Sequence, residues 1–280
     1  MSAKRLLWWL AAALFATIYV FTGQSLSGFS ATVTNTANSA ATAPYFTCAD
    51  AADENGALPA TDIVENFHLN EPSASTTAID YSGNSRNGTY QGSMTSDTTG
   101  TLACPRDPGG AYVLDGSTSY MSTSAQLPPS NVFSIEAWFK TTTPGGMLVG
   151  FGNEQTGLSS EYDRHIYMTN NGQLVFGVYP GATDTIQTPT AYDNGQWHQV
   201  VATLSPAGMA LYVDGTLVAS NPSVTTAQSY SGYWRIGYDN LNGWPNPPSD
   251  FHFQGEMRFV TIYSTALTPA QVAADYTAGT

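Results

Sequence analysis

Two carboxylates stand two positions apart in the stretch Glu161-Tyr162-Asp163-Arg164-His165-Ile166-Tyr167. Carboxyl pairs perform retaining glycoside hydrolysis, one as nucleophile and one as acid, at roughly 5–5.5 Å. The stretch reads as a β-strand, with Ile166 and Met168 on one side and His165 and Tyr167 on the other. Asp163 alone cannot fill both roles. The simpler reading is a polar loop entering a strand, with Asp163 bridging to the neighbours of Arg164. His198 has no Gly-x-Ser-x-Gly or other nucleophile motif to serve, so it reads as packing. His68, His165 and His252 lack metal spacing such as His-Glu-x-x-His.

Two other groups carry chemistry. Glu71, Asp80 and Asn84 lie in a loop-rich stretch and offer the oxygen ligands that hard cations take. Asp80 and Asn84 equally suit an Asx-type turn. The second group is Trp234, Tyr238, Asp239, Asn240 and Trp244. Aromatic faces flanked by planar polar side chains suit the C–H-rich faces of sugars. The Pro- and Gly-rich second half of that stretch reads as a long loop, where function concentrates. Trp234 lies in a strand and reads as core. For Trp244 packing and exposure both stay open, because a loop tip leaves an indole exposed unless something covers it. Tyr162, Asp163 and Arg164 join this site if the two loops share an edge.

Composition narrows the partners. The chain has 280 residues, with 21 acidic against 8 basic side chains and a net charge of −13. All the acids lie at Asp50 or later, whereas Lys4 and Arg5 lie at the start. Without that start, 21 acids face 6 bases, a balance of −15. Phosphate binding needs a basic face, so nucleic acid is excluded as a partner, and an anionic membrane surface is disfavoured. Lys4 and Arg5 precede an apolar run from Leu6 to Phe21. That run falls short of the ~20 residues that comfortably span a bilayer. Residues 1–30 thus read as a cleaved secretory signal, or as an uncleaved anchor and the only membrane attachment. Cys48 and Cys104 are most simply a disulfide in an exported chain.

The elements that must position these residues are short strands. Residues 31–61 read as a polar linker with a possible first strand. From residue 62 to 280, short alternating runs between turns argue a sandwich, which at this length buries roughly 70% of its unfolded surface. Phe133, Ile135, Ala137 and Phe139 face one way, and Ser134, Glu136, Trp138 and Lys140 the other. Asn170, Asn171 and Gly172 turn one hairpin, and Asp214-Gly215 turns a second as a type I′ pair. The strand containing Trp197 and His198 is expected to pair with the second hairpin. One helix is expected after Leu267. Thr268 caps it, Pro269 opens it, Gln271 completes a capping box, and Leu267 with Val272 forms a staple.

In order, "AIDYSGNSRNGTYQG", "VLDGSTSYMST", "FSIEAWFKT", "GQWHQVVATLSPAGMALYVDGTLVAS" and "MRFVTIYSTALTPAQVAADY" resemble the blocks of the laminin-G-like, concanavalin A-like lectin/glucanase jelly-roll family. The resemblance implies an all-β fold of two antiparallel sheets with one short C-terminal helix. It implies carbohydrate or surface binding more often than catalysis. In the family's glucanases a second Glu follows the first by four or five positions; here those positions hold His165 and Ile166. Family members often bind structural calcium through the segment of Glu71, Asp80 and Asn84. The penultimate strand, often Gly-x-Ile-Asp-Glu-Val, here has Arg258 and Phe259 in place of both acids, leaving Glu256 to stand in. The expected function is a secreted or cell-surface, non-catalytic module for a glycan or surface polymer. Its affinity would be roughly micromolar to millimolar, about −4 to −8 kcal/mol. The alternatives are a structural protein assembling through "FSATVTN" and a divergent glycosidase.

Overall fold

A computed structural model describes residues 45–52 and 62–280. The expected signal, the "FSATVTN" segment and most of the linker lie outside them. One sheet contains β1 (Ile63–Phe67), β4 (Thr95–Asp97), β5 (Ala111–Asp115), β7 (Phe133–Lys140), β12 (Trp197–Ser205), β13 (Gly208–Val213), β14 (Thr216–Asn221) and β16 (Gln254–Tyr263). The other contains β2 (Thr77–Ala78), β3 (Gly88–Gln91), β6 (Tyr120–Thr123), β8 (Met147–Gly152), β9 (Tyr162–Met168), β10 (Gln173–Val178), β11 (Asp184–Ala191) and β15 (Tyr233–Ile236). The strand orders are β14-β13-β12-β7-β16-β5-β4 and β11-β10-β9-β8-β15-β6-β3-β2. β1 pairs with the second half of β16, whose first half pairs with β5. This is the antiparallel two-sheet sandwich that alternation and resemblance both imply.

Local chemistry explains the elements. Asp214 and Gly215 both take positive φ, 51° and 73°, as a type I′ turn requires. That turn fixes β13 against β14, while β12 lies between β13 and β7. Phe133, Ile135, Ala137 and Phe139 meet Ile166, Met168, Leu174 and Phe176 between the sheets. The opposite side of β7 is also covered, so Trp138 and Glu136 are buried too.

Two helices cover that outer face. α1 (Cys48–Ala52) is short, and it is held by the Cys48–Cys104 disulfide across 56 residues. The Asp107 carboxylate accepts the Cys48 and Ala49 N–H groups at 2.9 and 3.1 Å, capping the helix. Residues 45–52 thus belong to the compact body rather than to a linker, which moves the domain start ahead of the expected residue 62. α2 (Pro269–Gly279) has the full capping box of Thr268 and Gln271. Leu267 and Val272 pack in one apolar cluster, as a staple does. Trp138 stacks on Tyr276 at 5.8 Å.

Candidate functional site

Glu161 is exposed and precedes β9, whose polar residues Asp163, Arg164 and His165 are buried. The register between β8 and β9 advances two residues on one strand and three on the other between the Phe151–Asp163 and Val149–Ile166 pairs. The extra residue is a bulge at Arg164, where φ is 55°. The bulge sends Arg164 into the interior while His165 stays on the outer face. Arg164 contacts Asp163 and donates to the Ser130 and Gln228 carbonyls. Its guanidinium lies 5.1 Å from the Phe151 ring and 5.6 Å from that of Tyr230.

Asp163 is fully buried and accepts from the Tyr230 hydroxyl and from the Tyr179 and Gln228 N–H groups. Burial raises its carboxyl above the ordinary value, and Arg164 opposes that rise. Asp163 and Arg164 are therefore structural members of the interior, not a polar loop. His165 is fully buried as well, and burial pulls its imidazole down to about 3, so it is neutral near pH 7. It offers no partner to Glu161.

For Trp244 the structure decides in favour of packing. Its indole is buried, packed edge-on to His165 at 4.9 Å and against Tyr167. Leu241 and Met147 complete this cluster on the outer face of the second sheet. The loop between β15 and β16 thus folds down as a cover, with Trp244 as its anchor. Exposing an indole would forfeit the apolar burial that holds the loop in place.

Asp239 is buried in the same loop, and burial raises its carboxyl. It accepts from the Ser159 N–H and hydroxyl at 2.9 and 2.7 Å. Asn240 donates to the Ser159 carbonyl at 2.9 Å, and Tyr162 donates to the Asn242 carbonyl at 2.9 Å. Tyr162 and Asn240 do share an edge, but Asp163 and Arg164 lie away from it. Tyr238 is half-buried and stacks on His252 at 3.7 Å.

The covering loop leaves a polar groove along its margin. Asn170 and Asn171 from the β9–β10 turn, Gln173 from the start of β10, Gln187 from β11 and Asn246 from the loop line a volume of about 370 Å³. Asn246 Nδ2 donates to Gln187 Oε1 at 3.4 Å across it. Asn170 also borders an adjoining depression of about 180 Å³ that reaches Ser249 and His252. Asn170 Oδ1 accepts from the Ser249 N–H and hydroxyl at 3.0 and 2.9 Å. In the sequence, Asn170 and Asn171 signal only a turn, and Gln187 signals nothing by itself. The cluster of amides in "NNGQ" and "NPP" is the one available clue.

The residues expected to hold calcium do not fit the ion. Asp80 accepts from the Asn66, Ser82 and Arg86 N–H groups and the Ser82 hydroxyl. Glu71 accepts from Ile79 N–H at 2.7 Å and the Tyr90 hydroxyl at 2.6 Å. Asn84 turns its NH₂ to the Ile63 and Val64 carbonyls, and Glu256 pairs with Lys140 at 2.7 Å. The Asp80 and Glu71 oxygens are spent on protein donors, and Glu256 has one oxygen on Lys140, whereas a hard cation needs six or more ligand oxygens directed at it. Among the described residues, the one His, Cys, Asp and Glu cluster with metal-like spacing is Cys48, Cys104 and Asp107, and its sulfurs are bonded to each other. Arg258, which replaces a family acid, gathers carbonyls itself. Its guanidinium donates to those of Ala103, Cys104, Asp107 and Pro108.

A laminin-G family model described as the concanavalin A-like lectin/glucanases superfamily matches residues 114–273. No curated protein matches the chain. Among solved structures, the binding domain of botulinum neurotoxin DC in complex with SialylT is similar, with a TM-score of 0.54 and 14% identity, over 79% of this chain and 52% of that one. The receptor binding domain of the botulinum neurotoxin C/D mosaic serotype gives 0.53 and 13%, over 78% and 52%. A Trypanosoma rangeli sialidase gives 0.51 and 14%, over 79% and 33%. The chain spans about half the length of the toxin domains and a third of the sialidase. These likenesses show the fold alone. The family match covers more than half of the chain, which therefore belongs to the concanavalin A-like lectin/glucanase superfamily.

Proposed function

We propose that the chain is a non-catalytic binding module that takes a neutral glycan or similar polyhydroxylated surface polymer in the amide-lined groove. The observation that carries this reading is the convergence of Asn170, Asn171, Gln173, Gln187 and Asn246 on one open volume. Primary amides present donor and acceptor side by side, which matches vicinal hydroxyls without calling for charge. The one acid in the strand after Glu161, Asp163, is buried and committed to Arg164, Tyr230 and two backbone N–H groups, which weighs against hydrolysis. The toxin binding domain solved with SialylT shares the fold and adds general support.

Export to the cell exterior fits the disulfide and the Lys4–Phe21 pattern. No helix among the described residues is long and apolar enough to cross a membrane. A glycan array run with the wild type and with an Asn171→Ala, Gln187→Ala double variant tests the binding. Neutral glycan hits should vanish in the double variant while its melting temperature is kept. An array without neutral hits, or hits indifferent to both substitutions, would count against the reading.

A further inference from the structure

A cleft of about 400 Å³ opens at one end of the sandwich, where β1 and β16 face β8, β9 and β15. That volume suits a small ligand. Phe133, Phe151 and Trp234 line it together with Pro128 and Pro129. The chain carries 21 acids, yet none of the described residues lining this cleft is Asp or Glu, and two are arginines, Arg86 and Arg164.

The two arginines differ. Arg164 is buried, and its charge is matched by Asp163. Arg86 is half-buried, donates from Nη1 to the Val64 carbonyl at 2.9 Å and has no ion-pair partner among the described residues. Two carboxyls lie near it. Asp80 accepts from the Arg86 backbone N–H at 2.8 Å, but its oxygens are already shared among four donors. Glu65 is buried with both oxygens unpartnered, so it makes no ion pair with the guanidinium; burial, and then the Asp80 charge, raises its carboxyl well above the ordinary range, and Arg86 opposes that rise. The guanidinium of Arg86 therefore remains a cationic rim on an apolar slot.

We propose that this cleft binds a small amphipathic anion, its aliphatic or aromatic body between the two sheets and its carboxylate or sulfonate on Arg86. The site is separate from the amide groove and does not depend on it. A charge-assisted contact to Arg at the rim supplies orientation, and the Phe, Trp and Pro lining supplies most of the contact area.

The test uses the full chain, with 8-anilinonaphthalene-1-sulfonate as fluorescent reporter and octanoate and 1-octanol as competitors. The reporter should saturate at one per chain, and octanoate should displace it at about tenfold lower concentration than octanol. Arg86→Gln keeps a donor for the Val64 carbonyl while removing the charge, and should weaken reporter and octanoate alike by about tenfold. Val132→Trp, from a half-buried wall position, should fill the slot and abolish binding. Melting temperatures of both variants confirm that they are folded. Binding that does not saturate, that is unchanged in either folded variant, or that favours octanol equally would overturn the proposal.

Discussion

The indole of Trp244 rests on Gly177 of β10, where a methyl group would stand 2.3 Å from the ring. A residue without a side chain on the strand and a large one on the loop make a single joint. Trp244→Ala should cost about 3–5 kcal/mol of stability, because a buried aromatic leaves a cavity. Gly177→Ala should cost about 1–3 kcal/mol by overpacking. Urea unfolding measures both. A Trp244→Ala variant as stable as the wild type would contradict the covering role of the loop.

The outer face of the first sheet carries a titrating pair. Glu136 accepts from Gln199 Nε2 at 2.7 Å and the Tyr263 hydroxyl at 3.0 Å, and α2 brings Asp275 towards it. Burial, and then the Glu136 charge, pushes Asp275 up to about 9 from an ordinary value near 3.8. The folded state thus holds a proton that the unfolded state has lost between about pH 4 and 9. Stability should fall as pH rises through that window, by up to about 1.4 kcal/mol per unit. Asp275→Asn should flatten this slope in unfolding curves taken from pH 5 to 9. An identical slope in the variant would remove Asp275 as its source.

Arg258 is buried and holds four carbonyls of the 103–108 loop, the loop that carries Cys104 and Asp107. Arg258→Met keeps much of the volume but strands those oxygens. It should lower stability by about 3 kcal/mol or more, since each buried unsatisfied group costs about 1–3 kcal/mol. Calorimetry of the variant would show a melting temperature near that of the wild type if these bonds carried nothing.

Calcium should leave the protein indifferent. With Asp80 and Glu71 committed to protein donors and Glu256 paired with Lys140, melting temperatures in chelator and in millimolar calcium should agree within about 1 °C. A rise of several degrees on adding calcium would mean that the ion recruits oxygens in some other arrangement.

The sequence carried the fold because its signals are local. Alternation in β7, the Asp214-Gly215 turn and the Thr268–Gln271 cap each need only neighbours along the chain. The site was less legible because its determinants are remote. Trp244 is buried because Gly177 on another element leaves room for it, and no local pattern reports that. Arg164 turns inward through a bulge whose register exists only against β8. The amide groove draws residues from two strands, a hairpin turn and a long loop, and of these only Asn170 and Asn171 carry a local signal, that of a turn. The calcium expectation rested on oxygen-bearing side chains, and the backbone N–H groups that occupy them are invisible in a string of side-chain types.

The Cys104 N–H donates to the Gly279 carbonyl at 2.9 Å, Cys104 is bonded to Cys48, and Arg106 reaches the carbonyls of Ala278 and Thr280. The first and last described residues are thus knotted together on one side of the sandwich. A pull applied between Tyr45 and Thr280 would load the cystine and the final helix before any strand ladder felt tension. The body would hang from that knot as a pendant, its groove and end cleft shielded from mechanical strain along the backbone.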